Sequence, residues 1–529
     1  MKKIVLLISL TILLSQAQVG RTETVGYTTY DRQYGGPTVS WCRVNPVGNN
    51  ILVYWIYSDL NPSIDRNMRC NIYDFSINNW YWPEGMNVYP QYSGFGNIDY
   101  DPGSGKTIAV THQTWNNALT PVCAREISGG LFEYSIGPAN YVWPLISVGY
   151  NQAIHCIMMH NIARDSLWYS KVQPWNIWST PINISSPAPS PRYPNYNIHT
   201  SKISNKVLIL WQVWADDGQN RAFYRLSNDG GINWQAPTQI PFPPSQGLVP
   251  SYTTTSLFGM FDCQDNFHIV ASVSDTQQTI PAEIWHYCPS NTTPWSLIHH
   301  YNAQTLAAPV GYNAIFATRP SIVQNPTNHY LYVVWEQFDS LNYEPTTFLA
   351  RADIWIAESP DNGLTWRNQT RITLPDSTSK RFPCAGGVVA DTLILSYLVD
   401  SVAGQELYMQ GRTTRNPIVV QRIPIPLTGI AENPILQVSG FTLSISPNPF
   451  SSHTTIRFTL PASNQASLQI YDVTGRLIKS FTDNQQLTTN NYLTWNGKDN
   501  NNQSVPYGIY FIKLETENNR IVQKVIYTK

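Results

Sequence analysis

Three arginines stand just ahead of short strand-like segments: Arg192 in Ser-Pro-Arg-Tyr-Pro, Arg319 in Thr-Arg-Pro-Ser and Arg381 in Lys-Arg-Phe-Pro. A guanidinium pairs bidentately with a carboxylate. Brought together, these side chains would hold an anion; kept apart, they would have separate structural roles. Glu336 follows Trp335 on an otherwise apolar run. Burial would raise its pKa and suit it to acid–base work. Exposure at the strand end, or an arginine partner, would make it structural. His112, His155, His160 and His268 fall in or beside apolar runs at different depths, as interior histidines do. No His-x-x-x-His or Glu-rich spacing suggests a metal, Gly129–Gly130 and Gly386–Gly387 read as plain turns, and no cofactor is expected. Trp80–Tyr81–Trp82 and Trp175–Trp178 could stack on sugar rings or cap a seam between packed sheets.

The elements that would position these residues are announced by two turns. Ser227-Asn-Asp229-Gly-Gly231-Ile-Asn-Trp234 and Ser359-Pro-Asp361-Asn-Gly363-Leu-Thr-Trp366 share the pattern Ser-x-Asp-x-Gly-x-x-Trp, and each follows a strand-like run. An Asp side chain bonds nearby backbone N–H groups and holds a turn. Glycine supplies a backbone conformation that a side chain would obstruct. The Trp folds back and buries a large apolar face. Asp74–Trp80 resembles a worn copy without the glycine.

An apolar strand recurs along the chain at Ile51–Tyr57, Thr107–Gln113, Ile154–His160, Val207–Val213, His268–Ser274, Leu331–Gln337 and Leu393–Val399. Successive starts are 56, 47, 53, 61, 63 and 62 residues apart. That period suits one four-stranded propeller blade of about 40–50 residues plus loops. Seven units fit between residues 25 and 425; six with an irregular terminal blade is the alternative. Aromatic residues at 12%, with 38 Pro and 30 Gly, agree with an all-β chain of many short strands.

The turn pattern resembles the Asp-box of sialidase-like (BNR-repeat) β-propellers, in which the box joins the third and fourth strands of a blade, on the face away from the binding site. The resemblance makes Ser227, Asp229, Gly231, Trp234, Ser359, Asp361, Gly363 and Trp366 architectural. Sialidases hold the substrate carboxylate with three arginines, use a Tyr–Glu nucleophile pair and an Asp as acid/base. By that analogy Arg192, Arg319 and Arg381, at the starts of innermost strands, could converge on the channel, with Glu336 and Tyr397 as catalytic candidates. None of these arginines sits in a first-blade Phe/Tyr-Arg-Ile-Pro motif, which departs from the enzymes. Two functions follow: a propeller that binds a glycan or protein ligand, or an exo-sialidase or related glycoside hydrolase.

After residues 426–442, which read as a linker, the texture changes. Strand-like runs between 443 and 529 suggest a small seven-stranded sandwich. The opening Pro447-Asn-Pro-Phe450, Tyr471–Arg476 (YDVTGR), Val505–Tyr510 (VPYGIY) and the ending Lys524–Tyr527 resemble the C-terminal sorting domain of type IX secretion substrates. The block also resembles the Ig-like domain of flagellar hook-capping proteins. The first resemblance implies the type IX machinery as a partner, and a secreted or outer-membrane-surface location. Lys2 and Lys3, the apolar run Ile4–Leu14 and Ser15–Gln16–Ala17 read as a signal peptide over 1–17. No later stretch is long and apolar enough for a transmembrane helix. A formal net charge of −1, with 13% charged residues, argues against nucleic acid. Of seven cysteines, Cys42–Cys70 and Cys263–Cys288 are the closest pairs; buried free thiols are expected for most.

Overall fold

The computed structural model describes residues 18–427 and 442–529, apart from 34–38, 61–63, 186–194, 215–216, 218, 246–249, 253–256, 276–278, 304–305, 460–465, 474, 482–489 and 517–519. The chain divides into two compact units, Met1–Thr428 and Gly429–Lys529. The expected signal peptide and most of the expected linker lie outside the described residues.

The first unit contains seven antiparallel sheets, each built on a four-strand path and each continuous in sequence except the last. The recurring apolar run is the second strand of every sheet, for example Asn50–Tyr57, Val207–Val213 and Thr392–Asp400. It reads as nearly all apolar because both of its faces meet neighbouring sheets. The innermost strands touch one another in cyclic order, from Cys42–Asn45 round to Ser379–Val389 and back to Cys42–Asn45. A hydrogen bond crosses every seam. Examples are Ile98 N–H to Ser40 O at 2.9 Å, Gly259 N–H to His199 Nε2 at 3.0 Å and Ala385 N–H to Ser321 Oγ at 2.8 Å. Cys384 Sγ to Cys42 O, at 3.8 Å, joins the last blade to the first. The unit is a seven-bladed propeller. Its seventh blade takes its outer strand, Arg21–Thr28, from the start of the chain, paired with Asn416–Pro424.

The Ser-x-Asp turns fall between third and fourth strands. Asp229 Oδ1 accepts Ser227 Oγ–H at 2.8 Å and Asn233 N–H at 2.9 Å. Asp361 Oδ1 accepts Ser359 Oγ–H at 2.8 Å and Thr365 N–H at 2.9 Å. Each Trp reaches back to the preceding blade. Trp234 packs edge-on to Tyr169, and Trp366 donates to Ser296 Oγ at 3.0 Å. Gly231 and Gly363 both have positive φ, and a Cβ at Gly363 would lie 2.1 Å from the His286 ring.

The second unit stacks the sheet of Thr442–Ser446, Thr454–Thr459 and Asn490–Trp495 on that of Leu477–Ser480, Ala466–Asp472, Gly508–Thr516 and Arg520–Tyr527. Seven strands enclose Phe450, Ile456, Leu468, Trp495 and Ile512. The Pro447–Phe450 segment is tied to the last strand, with Asn448 Oδ1 accepting Ile526 N–H at 2.9 Å and Phe450 stacked on Tyr527.

Among the described residues, no helix is long and apolar enough to cross a membrane. All seven cysteines are free, so neither Cys42–Cys70 nor Cys263–Cys288 is bridged; six are buried and Cys263 is exposed. Burial on strands makes Cys42, Cys70, Cys123, Cys156 and Cys384 small apolar core residues.

Candidate functional site

In a four-stranded blade the start of the first strand, the end of the second and the start of the third share one face. The Ser-x-Asp turns therefore open on the other. Arg319 begins the innermost strand of blade six, Ala317–Gln324, and Arg381 that of blade seven, Ser379–Val389. Glu336 lies toward the end of the second strand of blade six, Leu331–Tyr343. Register places it opposite Thr318.

These three side chains meet. The Arg319 Nη1–H donates to Glu336 Oε1, and the Arg381 Nε–H donates to Glu336 Oε2 at 3.2 Å. The Phe382 N–H adds a third donor at 2.9 Å. None of the three side chains exposes more than 3% of its surface. Burial alone would raise the Glu336 carboxyl, but Arg319 and Arg381 outweigh it and hold it below its ordinary value. Burial pushes Arg319 down to about 10, which leaves it charged at neutral pH. The Arg319 Nε–H is buried and has no acceptor among the described residues. Both guanidinium groups lie over Phe382, at 4.7 and 5.0 Å.

The backbone explains how they are aimed. Arg319 and Phe382 have φ of 51° and 57°, each at a register shift between the first two strands of its blade. Trp143, in blade three, repeats the arrangement with φ 51°. Positive φ at a bulky residue is an outlier costing about 1–3 kcal/mol, and such residues gather at functional sites. All three immediately precede a proline. A bulky residue before proline is thus the sequence mark of this aimed backbone at all three places.

Two carboxyl groups absent from the sequence expectations complete the cluster. Asp31, after the outer strand of blade seven, accepts Glu406 N–H at 2.6 Å. Asp400, at the end of Thr392–Asp400, accepts Asn416 Nδ2–H at 3.2 Å and Val402 N–H at 3.1 Å. Burial pushes Asp31 up to about 6. Burial, reinforced by the charge on Asp31, pushes Asp400 up to about 8, against the pull of Arg381. Above these groups the connection 401–415 carries Leu407, Tyr408 and Met409. Tyr408 packs 3.9 Å from the Tyr312 ring and under the Arg32 guanidinium. Tyr312, Phe348, Leu407 and Met409 are exposed, giving this end of blades six and seven an apolar rim.

The remaining candidates lie elsewhere. Arg192 is outside the described residues. Tyr397 is buried in the core cluster with Val323, Ile354 and Val419, and the charges that bear on its phenol are Asp353 and Asp376. Three of the four histidines have interior partners: His112 accepts Trp143 N–H at 3.2 Å, His155 meets Tyr169 Oη at 2.7 Å, and His268 lies between Asp262 and His286 at 3.2 and 2.9 Å, whereas His160 is half-buried and accepts Ala163 N–H at 3.3 Å. Trp80 donates to Glu23 at 2.9 Å and Trp178 to Ser135 at 2.9 Å, so both cap seams. No group of three or more His, Cys, Asp or Glu among the described residues could hold a metal.

Residues 444–528 match the family model of the secretion system C-terminal sorting domain. The C-terminal unit is a type IX sorting domain. The chain is therefore exported, to the cell surface or beyond it, and its sorting domain addresses the type IX machinery. No curated protein matches the chain. Among solved structures, an ulvan lyase described as a polysaccharide lyase is 12% identical, with a TM-score of 0.47, covering 74% of this chain and 100% of that one. An α-L-arabinanase of Penicillium chrysogenum is 11% identical with a TM-score of 0.37, covering 61% and 91%. A Hadza microbial sialidase is 14% identical with a TM-score of 0.34, covering 68% and 73%. These likenesses are too remote to bear on what this chain binds.

Proposed function

We propose that the mature protein is an exported propeller that binds an extracellular glycan or protein at the Arg319–Glu336–Arg381 end of blades six and seven, with no chemistry of its own. One observation carries this. The guanidinium groups that would hold a substrate carboxylate already share an internal counter-ion, Glu336, and are closed to water. Glu336 is held by two arginines and Tyr397 lies in a separate core cluster, so the two do not form the Tyr–Glu pair of a sialidase. The ligand surface is then the apolar rim above the cluster, where exposed aromatic and aliphatic side chains gather as they do at interaction sites. On this proposal a signal peptide occupies 1–17, the propeller 25–425, a linker 426–442 and the sorting domain 443–529. The two Ser-x-Asp turns are architectural.

A hydrolytic function has one observation in its favour. A carboxyl group kept protonated near neutral pH is what glycoside cleavage needs as general acid, and Asp400 beside Asp31 meets that condition.

The mature chain applied to a glycan array, and incubated with a fluorogenic sialoside, separates the two. Retention on the array without fluorophore release is expected, with retention lost in a Tyr312→Ser/Met409→Ser variant. Release abolished by Asp400→Ala would replace binding with hydrolysis.

A further inference from the structure

The opposite face, which carries the Ser-x-Asp turns, holds a cavity of about 320 Å³ at the seam between blades two and three. Three turns build it. Asp101 follows the innermost strand of blade two, Asn151 and Gln152 join the first two strands of blade three, and Gln173 and Trp175 follow its third. The Gly103 backbone lies against the Gln152 side chain, so that a Cβ there would fall 2.5 Å from its nitrogen. Ile108, Val148 and Ile154 supply an aliphatic lining.

The wall chemistry selects a ligand class. Arg125 is the one cationic residue lining the cavity; it pairs with Glu133 at 2.6 Å and lies 4.3 Å over the Trp175 ring. Its charge is matched, and Asp101 adds a negative one, so an anion gains nothing here. Asp101 is itself held in its turn by Gly103 N–H at 2.8 Å and Ser104 Oγ–H at 2.6 Å. What remains open is neutral. The Gln152 side chain makes no hydrogen bond among the described residues. Gln173 uses its Nε2–H on Asn151 O at 2.9 Å, which leaves its carbonyl oxygen as an acceptor. The Trp175 indole N–H is buried and has no acceptor among the described residues. Amides that both donate and accept match hydroxyl groups, which do the same. An aliphatic lining matches the C–H face of a pyranose. Pockets for small ligands run from about 300 to 1,000 Å³, so this one takes one sugar ring, or a second at its mouth.

We infer that this cavity binds the neutral terminal sugar of a glycan, through Gln152, Gln173 and Trp175. It lies on the other face from the Arg319 cluster and does not depend on the function proposed there.

Saturation-transfer NMR on the mature full chain tests it, with methyl pyranosides of glucose, galactose and mannose as probes and N-acetylneuraminic acid as the anionic control. At least one neutral glycoside is expected to bind in the millimolar range. Gln152→Ala and Gln173→Ala, at exposed positions that leave the melting temperature unchanged, each weaken it about tenfold. Trp175→Phe, which keeps the ring under Arg125, weakens it about fivefold. No transfer to any neutral glycoside up to about 50 mM overturns the inference. So does binding that survives both glutamine substitutions, and so does a preference for the anionic control.

Discussion

Arg381 Nε donates to Glu336 Oε2 at 3.2 Å across the seam between blades six and seven, and neither side chain is open to water. Because Arg319 grips the same carboxylate from within blade six, Glu336 is the counter-ion shared by two buried cations. Glu336→Gln keeps the shape and removes the charge. Breaking a buried pair by removing one partner costs about 3–5 kcal/mol, and a loss at the lower end or beyond is expected in urea unfolding of the propeller. Arg319→Met/Glu336→Leu/Arg381→Met, which removes every charge, is expected to recover most of it.

The carboxyl of Asp400 gives the fold a pH dependence with a definite sign. Its folded value, about 8, lies above its ordinary 3.8. Its contribution is therefore fully present below pH 3.8 and is lost as the pH rises through about 8. Asp400→Asn keeps an acceptor for Val402 N–H and cannot ionise. Melting curves between pH 4 and 9 should show the variant gaining on the parent as the pH rises, by on the order of 2 kcal/mol at the alkaline end. Equal slopes for the two proteins would mean that Asp400 titrates in its ordinary range.

Gly363 and Gly129 both have positive φ, yet only one is enclosed. A Cβ at Gly129 meets nothing within 4 Å, whereas at Gly363 it enters the His286 ring. Gly129→Ala is expected to cost about 1 kcal/mol, from backbone strain alone. Gly363→Ala adds the clash and should cost about 3 kcal/mol or more. Chemical denaturation of the two variants side by side measures the difference.

Of the seven thiols, only that of Cys263 is exposed, 3.0 Å from His329 Nδ1. A thiol reagent should titrate one equivalent from the native protein and seven after denaturation. Fewer than seven in denaturant without reductant would reveal a bridge.

Although about 390 residues of chain separate Thr28 from its partner Asn416, residues 21–28 form the outer strand of the seventh blade. Their removal leaves Asn416–Pro424 with an open edge. The deletion should lower the propeller's melting temperature by about 10 °C or more and promote association through that edge. Calorimetry and light scattering read both effects.

What the sequence determined was whatever lies within a few dozen residues. The seven apolar second strands, the Ser-x-Asp turns and the strands of the sorting domain are patterns of neighbouring side chains. Strand period, turn chemistry and self-capping carboxylates are local forces. The turns were legible because Asp229 and Asp361 find their partners four residues away or nearer. Glu336 was legible only as a choice between two roles. Nothing near it in the chain names Arg381, 45 residues on, as its partner. Asp31 and Asp400 were not legible at all, because a loop aspartate and a strand-end aspartate look ordinary until closure of the ring sets them together in a place without water. Tertiary structure decided these matters because a carboxylate's charge state depends on what surrounds it in space, and seams between blades join residues that no sequence period relates.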